Sequence, residues 1–362
     1  MSAQAYRVFV EAVGAAARPV WHELVEQNPD VALPKTPEWV DCIRGCDRFS
    51  DASLLFRGED GRRIVFPRLG VASVPGLFAS PPKHWNLGAD ASGFLAEGGT
   101  LGPGQVRALV QEIHRTAGLR TRIVVGRDDA RAWAPWVPSS VHSEGRTAQV
   151  LDLDGGFSAI WSKRFTSKVR SNCRKAERRG VFVESDSTGR LVPVFYALFR
   201  GSVDRWARES GLPLPLMRWR YSRSHPQSKF ATLARLLGEQ CTVWIAWRDG
   251  EALAGLVVLS RGARVTYWRG AMDKDLCRSS GANELLHRHA IEAACAGARR
   301  SYDFGLSARE ELRRFKASFG AQPEPVHIYH FERVPTAAAE ANCLDMGKRT
   351  IRRVANLARP GR

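Results

Sequence analysis

Apolar residues recur along this chain with two periods, and the switches between them outline its elements. PKTPEWVDCIRG has the spacing of a short helix, and SLLFRGEDGRRIVFPRLGVAS reads as two β-rich runs around a turn at Glu59-Asp60-Gly61. A Gly- and Pro-rich stretch from Ser80 to Gly104 follows; GQVRALVQEIHRTAG then has the apolar period of a helix and TRIVVG that of a strand. Near Ser139 to Gly145 the pattern turns polar, and TAQVLDLDGG looks like the opening strand of a second unit.

That second unit reads as a strand, a basic helix over 157–179, the strand VFVES, a helix over 190–210, a Pro- and Arg-rich connection, and a helix over 226–238. CTVWIAWRDGEALAGLVVLS folds back on itself at Asp249-Gly250, and ARVTYWRGAM adds a third strand to the meander. A helix over 281–298, the strand SYDFGL, the helix AREELRRFKASF and the strand VHIYHFERV complete it. A meander followed by alternating helices and strands implies a mixed α/β sheet. The expected organisation is therefore 1–145, 146–335 and a basic helical tail over 336–362.

Composition sharpens this picture in two respects. The chain has 362 residues, 44% of them hydrophobic, with 11 Trp and 16 Phe, ample material for two buried cores. Its 54 basic residues against 37 acidic ones give a net charge of +17, a field that attracts polyanions, nucleic acid foremost. No apolar run approaches the length of a membrane span, and the N-terminus lacks the layout of a secretion signal. Seven cysteines, an odd and scattered set, suit a reducing compartment, so a cytoplasmic monomer is expected. Cys42 and Cys46 could lie one helical turn apart, but no second Cys or His pair completes a metal site, and none is expected.

Five phrases in order carry a family resemblance: RFTSKVRSNCRKAERRG, FYALFRGSVDRWARESG, the meander ending VTYWRGAM, YDFGLS and RRFKASFG. Together they resemble the GNAT-like Fem family, tandem-GNAT transferases that use aminoacyl-tRNA to add amino acids to peptidoglycan precursors or small amines. The first unit resembles it more loosely, through its Pro-Glu-Trp helix and the DGRRIVFPRLG hairpin. The resemblance implies two tandem GNAT-like acyltransferase domains of mixed α+β class. It implies charged tRNA as co-substrate with no separate cofactor, and Lys316, Asp303 and Tyr267 as catalytic residues. Lys316 would stabilise charge in the transition state. Arg205, with Trp206, Phe315 and Arg269, would contact substrate. Without the long coiled-coil insertion of some cell-wall members, a small amine of secondary metabolism, as in antibiotic biosynthesis, is favoured over a peptidoglycan precursor as acceptor.

The residues also speak for themselves. Trp161, Phe165, Val169, Cys173 and Ala176 recur at three and four and form one apolar stripe. Between 161 and 180, eight basic residues stand against Glu177 alone, so like charges meet at i,i+4 and cost on the order of 0.2–0.5 kcal/mol each. Phosphates would compensate; a solvated helix face is the plainer reading. Lys168, Arg170, Arg174, Lys175, Arg178 and Arg179, with Arg349, Arg352 and Arg353 of the tail, are the candidate tRNA contacts. His287 and His289, at i,i+2, face different ways and read as structural. Trp244, Trp247 and Trp268 read as core rather than as an RNA-stacking platform.

Two other functions remain open. A GNAT enzyme fed by acyl-CoA holds the diphosphate at a helix start within Arg/Gln-x-x-Gly-x-Gly/Ala; here Arg278-Ser279-Ser280-Gly281-Ala282-Asn283 ends in a side chain that crowds that place. A non-catalytic RNA-binding protein on a transferase fold is the other. Neither a Gly-x-Ser-x-Gly elbow, a Walker loop nor His-Glu-x-x-His is present.

Overall fold

A computed structural model describes residues 6–71, 78–79, 85, 87, 93–278, 280–307 and 309–333. The first half runs β1 (Val8–Val13), α1 (Arg18–Glu26), α2 (Pro37–Cys46), β2 (Phe49–Asp51), β3 (Leu54–Gly58), β4 (Arg63–Phe66), β5 (Leu69–Val71), β6 (Phe78–Ala79), β7 (Leu95–Ala96), α3 (Pro103–Thr116), β8 (Arg120–Val125) and α4 (Arg127–Trp133). Thr36 starts α2 by accepting a hydrogen bond from Trp39 N, and β3 pairs antiparallel with β4 around the expected turn. β1 and α1 lie ahead of the elements that the sequence pattern outlines.

The second half runs β9 (His142–Asp152), α5 (Gly156–Ala159), α6 (Ser167–Arg178), β10 (Phe182–Asp186), α7 (Val192–Ser210), α8 (Leu214–Ser224), α9 (Gln227–Leu237), β11 (Cys241–Arg248), β12 (Glu251–Arg261), β13 (Arg264–Met272), α10 (Lys274–Cys277), α11 (Ala282–Ala296), β14 (Ser301–Leu306), α12 (Glu310–Ala317) and β15 (Gln322–Glu332). The β11–β12 hairpin closes on Asp249 and Gly250, both with positive φ, the geometry that matches strand twist.

Two expectations need correction. The basic helix is not continuous over 157–179: a π-helical turn, Ile160–Arg164, ends at Phe165, and α6 begins afresh where Thr166 accepts from Val169 N. The Pro- and Arg-rich connection contains α8, because Pro213 and Pro215 fall at its cap and in its first turn, where no intrahelical N–H is needed.

One eleven-stranded sheet, in the order β10-β11-β12-β13-β14-β9-β15-β8-β6-β5-β2, runs through both halves. β9 crosses the polar stretch where the second unit begins. It pairs with β14 through its second part and with β15 over most of its length, and β15 in turn pairs with β8. A second sheet, β1-β3-β4-β7, lies in the first half. The core is shared too: Trp21 and Trp39 of α1 and α2 pack in one cluster with Phe195, Phe230 and Trp268 of the second half. The other face of the meander packs under α6 and α11, through Val169, Cys173, Leu286 and Ile291. No helix among the described residues is long and apolar enough to cross a membrane.

Candidate active site

The central feature is where two parallel strands part. β13 and β14 pair only at Arg264–Ser301, Val265–Tyr302 and Thr266–Asp303. Past these, both strands leave regular register: β13 bulges against β12 between Tyr267 and Arg269, and β14 shifts against β9 between Asp303 and Leu306. Gly305, with φ 74°, makes the bend in β14.

Two side chains hold that bend. Asp303, buried, accepts from Gly305 N at 2.6 Å. Lys316 of α12, only 5% exposed, donates to the carbonyls of Gly305 at 2.9 Å and Leu306 at 3.1 Å. Burial pulls the Lys316 amine down to about 8, and the nearby Asp303 carboxylate opposes this. A lysine is thus kept charged at neutral pH but close to losing its proton.

Around it stands an aromatic shell. The Tyr267 ring meets His287 edge-on at 4.9 Å, and its hydroxyl lies over Gly270, where a Cβ would come within 2.0 Å. His287 is 1% exposed, its Nδ1 3.1 Å from the Tyr302 hydroxyl, with Phe304, Phe315 and Phe319 around it. Burial first, then the Lys316 charge, push His287 down to about 3, so the ring is neutral. Tyr267 is pushed up to about 12 by burial, against the pull of Arg269. Tyr267, Asp303, Lys316 and Phe315 therefore lie in one cluster, and His287 joins them. Its place on the apolar face of α11, with Ala290, Ile291 and Ala294, was the available signal.

Beside this cluster, at the C-terminal end of β13, is a cleft of about 310 Å³ whose lining includes Lys175, Met272, Lys274, Arg278, Glu284 and Phe315; Tyr267, Asp303 and Lys316 do not line it. At the start of α11, Gly281 has φ 75°, and a Cβ there would lie 2.3 Å from the Asn172 carbonyl of α6. Asn172 also donates to Glu284 at 2.7 Å, which seats a carboxylate in the first turn of α11.

The remaining candidates divide. Arg205 donates to the Met272 carbonyl at 2.8 Å and, with Ser202, fixes the end of β13 at the mouth. Trp206 packs against Phe199 and Tyr221 between α7 and α8, and Arg269 lies inside, donating to His225 at 3.0 Å and stacked over Trp268 at 4.7 Å. Neither lines the mouth, because α7 and the β13 bulge turn them to the opposite side. Lys168, Arg174, Arg178 and Arg179 are exposed on α6, and Lys175 reaches the cleft. Arg170 is different: its guanidinium donates to the carbonyls of Trp161, Ser162 and Phe165, closing the π-helical turn. Arg349, Arg352 and Arg353 lie outside the described residues, as does the tail over 336–362.

Residues 162–317 match the family described as an acetyltransferase (GNAT) domain, a span that holds α6, the parted strands and Lys316. That span is a GNAT domain, and the chain as a whole has a Fem-like fold. It is similar to the crystal structure of FemX, at 14% identity and a TM-score of 0.60, over 86% of this chain and 95% of that one. It is also similar to the C-terminal domain of a putative lysylphosphatidylglycerol synthetase from Agrobacterium fabrum (13%, TM-score 0.51, 89% and 95%). A conserved protein of unknown function from Bacteroides thetaiotaomicron VPI-5482 shows the same fold (10%, TM-score 0.53, 89% and 99%). No curated protein matches it in sequence.

Cys277, in the cleft, is pushed up to about 12 by burial and stays a thiol. Lys316, buried, is held on two backbone carbonyls. Among the described residues no group of three His, Cys, Asp or Glu side chains could hold a metal.

Proposed function

We propose that this acyltransferase takes its acyl group from a charged tRNA and joins the amino acid to an amine as an amide. The acceptor nitrogen adds to the ester carbonyl, and the tetrahedral oxyanion collapses with cleavage of the bond to the ribose oxygen. That oxygen takes up the proton which the nitrogen gives up. The ester is already activated, so orientation and oxyanion stabilisation carry the rate. Lys316 is the cation for that charge; Asp303 acts by holding the bend from which Lys316 hangs.

The observation that carries the choice of donor is the start of α11. There Asn172 holds the Glu284 side chain in the first turn, at the wall of the cleft, and an acidic group at that place disfavours a diphosphate on the helix amides. Immediately beside it, α6 presents Lys168, Arg174 and Arg178 to solvent, a surface suited to an RNA backbone. For the acceptor, a small amine is the first choice to screen, followed by peptidoglycan precursors.

A titration of the purified protein against bulk charged tRNA and against acetyl-CoA, across a salt series, tests this. Sub-micromolar, steeply salt-dependent tRNA binding without CoA binding is expected. Clear CoA binding with weak tRNA association would replace this reading with CoA-dependent N-acylation.

A further inference from the structure

A second cavity lies on the far side of α7. Tyr196, Phe199, Arg200, Val203 and Asp204 recur at three and four and share one helical face, while Ser202 and Arg205, which hold Met272 at the mouth, lie on the opposite one. α8 crosses this face and leaves a space of about 370 Å³ between the helices.

Its walls are aromatic. Phe199 stacks on Tyr196 at 6.2 Å and meets Tyr221 edge-on at 6.0 Å, and Trp219, 59% exposed, forms the outer lip. Arg223 lies 5.4 Å over the Trp219 ring. One acidic side chain reaches the space, and it is spoken for. Asp204 accepts from Arg218 at 2.8 and 2.6 Å, and Arg200 and Arg208 also help to hold its carboxyl below the usual range. The rim thus carries surplus positive charge around a slot of flat rings.

We infer that the α7–α8 cavity seats an unpaired nucleobase of an RNA strand, stacked against Trp219 and Tyr196, with Arg200 and Arg223 on the adjoining phosphates. Flat rings accept any base by stacking, and the arginines match the backbone charge. An uncharged apolar ligand would fit the rings but leave the arginine rim without a counterpart, and against an anionic lipid the space of about 370 Å³ suits one flat base better than a pair of acyl chains. The inference rests on the tRNA donor reading for the origin of the strand, but its test does not need transfer activity.

The test uses a short single-stranded RNA carrying 2-aminopurine, titrated into the full chain, Trp219→Ala and Arg200→Glu. Both positions are exposed, so the variants should fold as the parent does. In the parent, stacking should quench the fluorophore; Trp219→Ala should relieve the quench and weaken binding ~10-fold, a loss within the usual range for one stacked base. Arg200→Glu should weaken binding and lower its salt dependence. No binding by the parent, or equal binding by all three, overturns the inference. Intact charged-tRNA binding by the parent in either case leaves the donor reading standing. Trp219-dependent binding to phosphatidylglycerol vesicles without binding to the oligonucleotide would overturn it in favour of a membrane surface.

Discussion

Lys316 shows how one residue's environment sets its chemistry. Its amine is buried on two carbonyls and held down to about 8. If its charge stabilises the oxyanion, Lys316→Met should lower turnover by ~10² or more with little loss of donor binding, measured in steady-state and single-turnover assays. Turnover in the parent should also fall as pH rises through about 8, where the ammonium is lost, and Lys316→Arg should remove that descending limb. His287 makes a separate prediction about stability. Its folded value, about 3, lies below the ordinary imidazole value, so the unfolded chain binds more protons between the two. The stabilisation is complete above the ordinary imidazole value and is lost as pH falls towards 3. Urea midpoints across pH should show a loss on the order of a few kcal/mol that His287→Phe largely removes, compared with the parent at each pH.

At the scale of elements, α6 separates two kinds of arginine that sequence alone treats alike. Lys168 and Arg178 are exposed, whereas Arg170 satisfies the end of the preceding turn. Reversing Lys168 and Arg178 to Glu should weaken tRNA binding and reduce the log–log salt slope by about 2. Arg170→Ala should instead lower stability by ~1–3 kcal/mol, because it orphans carbonyls, while the slope stays unchanged. Filter binding over a salt series, with thermal melts, distinguishes the two. The stripe of Phe165, Val169, Cys173 and Ala176 was legible in the sequence because helical spacing is local. The break at Thr166 was not, because it depends on one side-chain cap and on Arg170 reaching back across the turn.

For the whole molecule, β9 and β15 bind the halves into one sheet, and one core spans both. A fragment over 146–333 would expose Phe195, Phe230 and Trp268 where Trp21 and Trp39 now cover that cluster, and β15 would lose β8. Such a fragment should fail to unfold cooperatively, whereas the full chain should lose tryptophan fluorescence and far-ultraviolet ellipticity in a single coincident transition. Two separate transitions in the full chain would mean that the halves are energetically independent.

By itself the sequence determined what short-range physics controls. The Asp249-Gly250 hairpin, the amphipathic helices, the positive charge and the order of elements of a mixed α/β chain all follow from spacing and residue type within a few positions. Tertiary structure decided the rest, because each remaining feature depends on groups far apart in sequence. The parting of β13 from β14 needs Asp303, Gly305 and Lys316 together, and the neutrality of His287 needs a shell drawn from β13, β14 and α12. The inward turn of Arg269 and Trp206 arises from a bulge and from a helix, α8, that local prolines disguise.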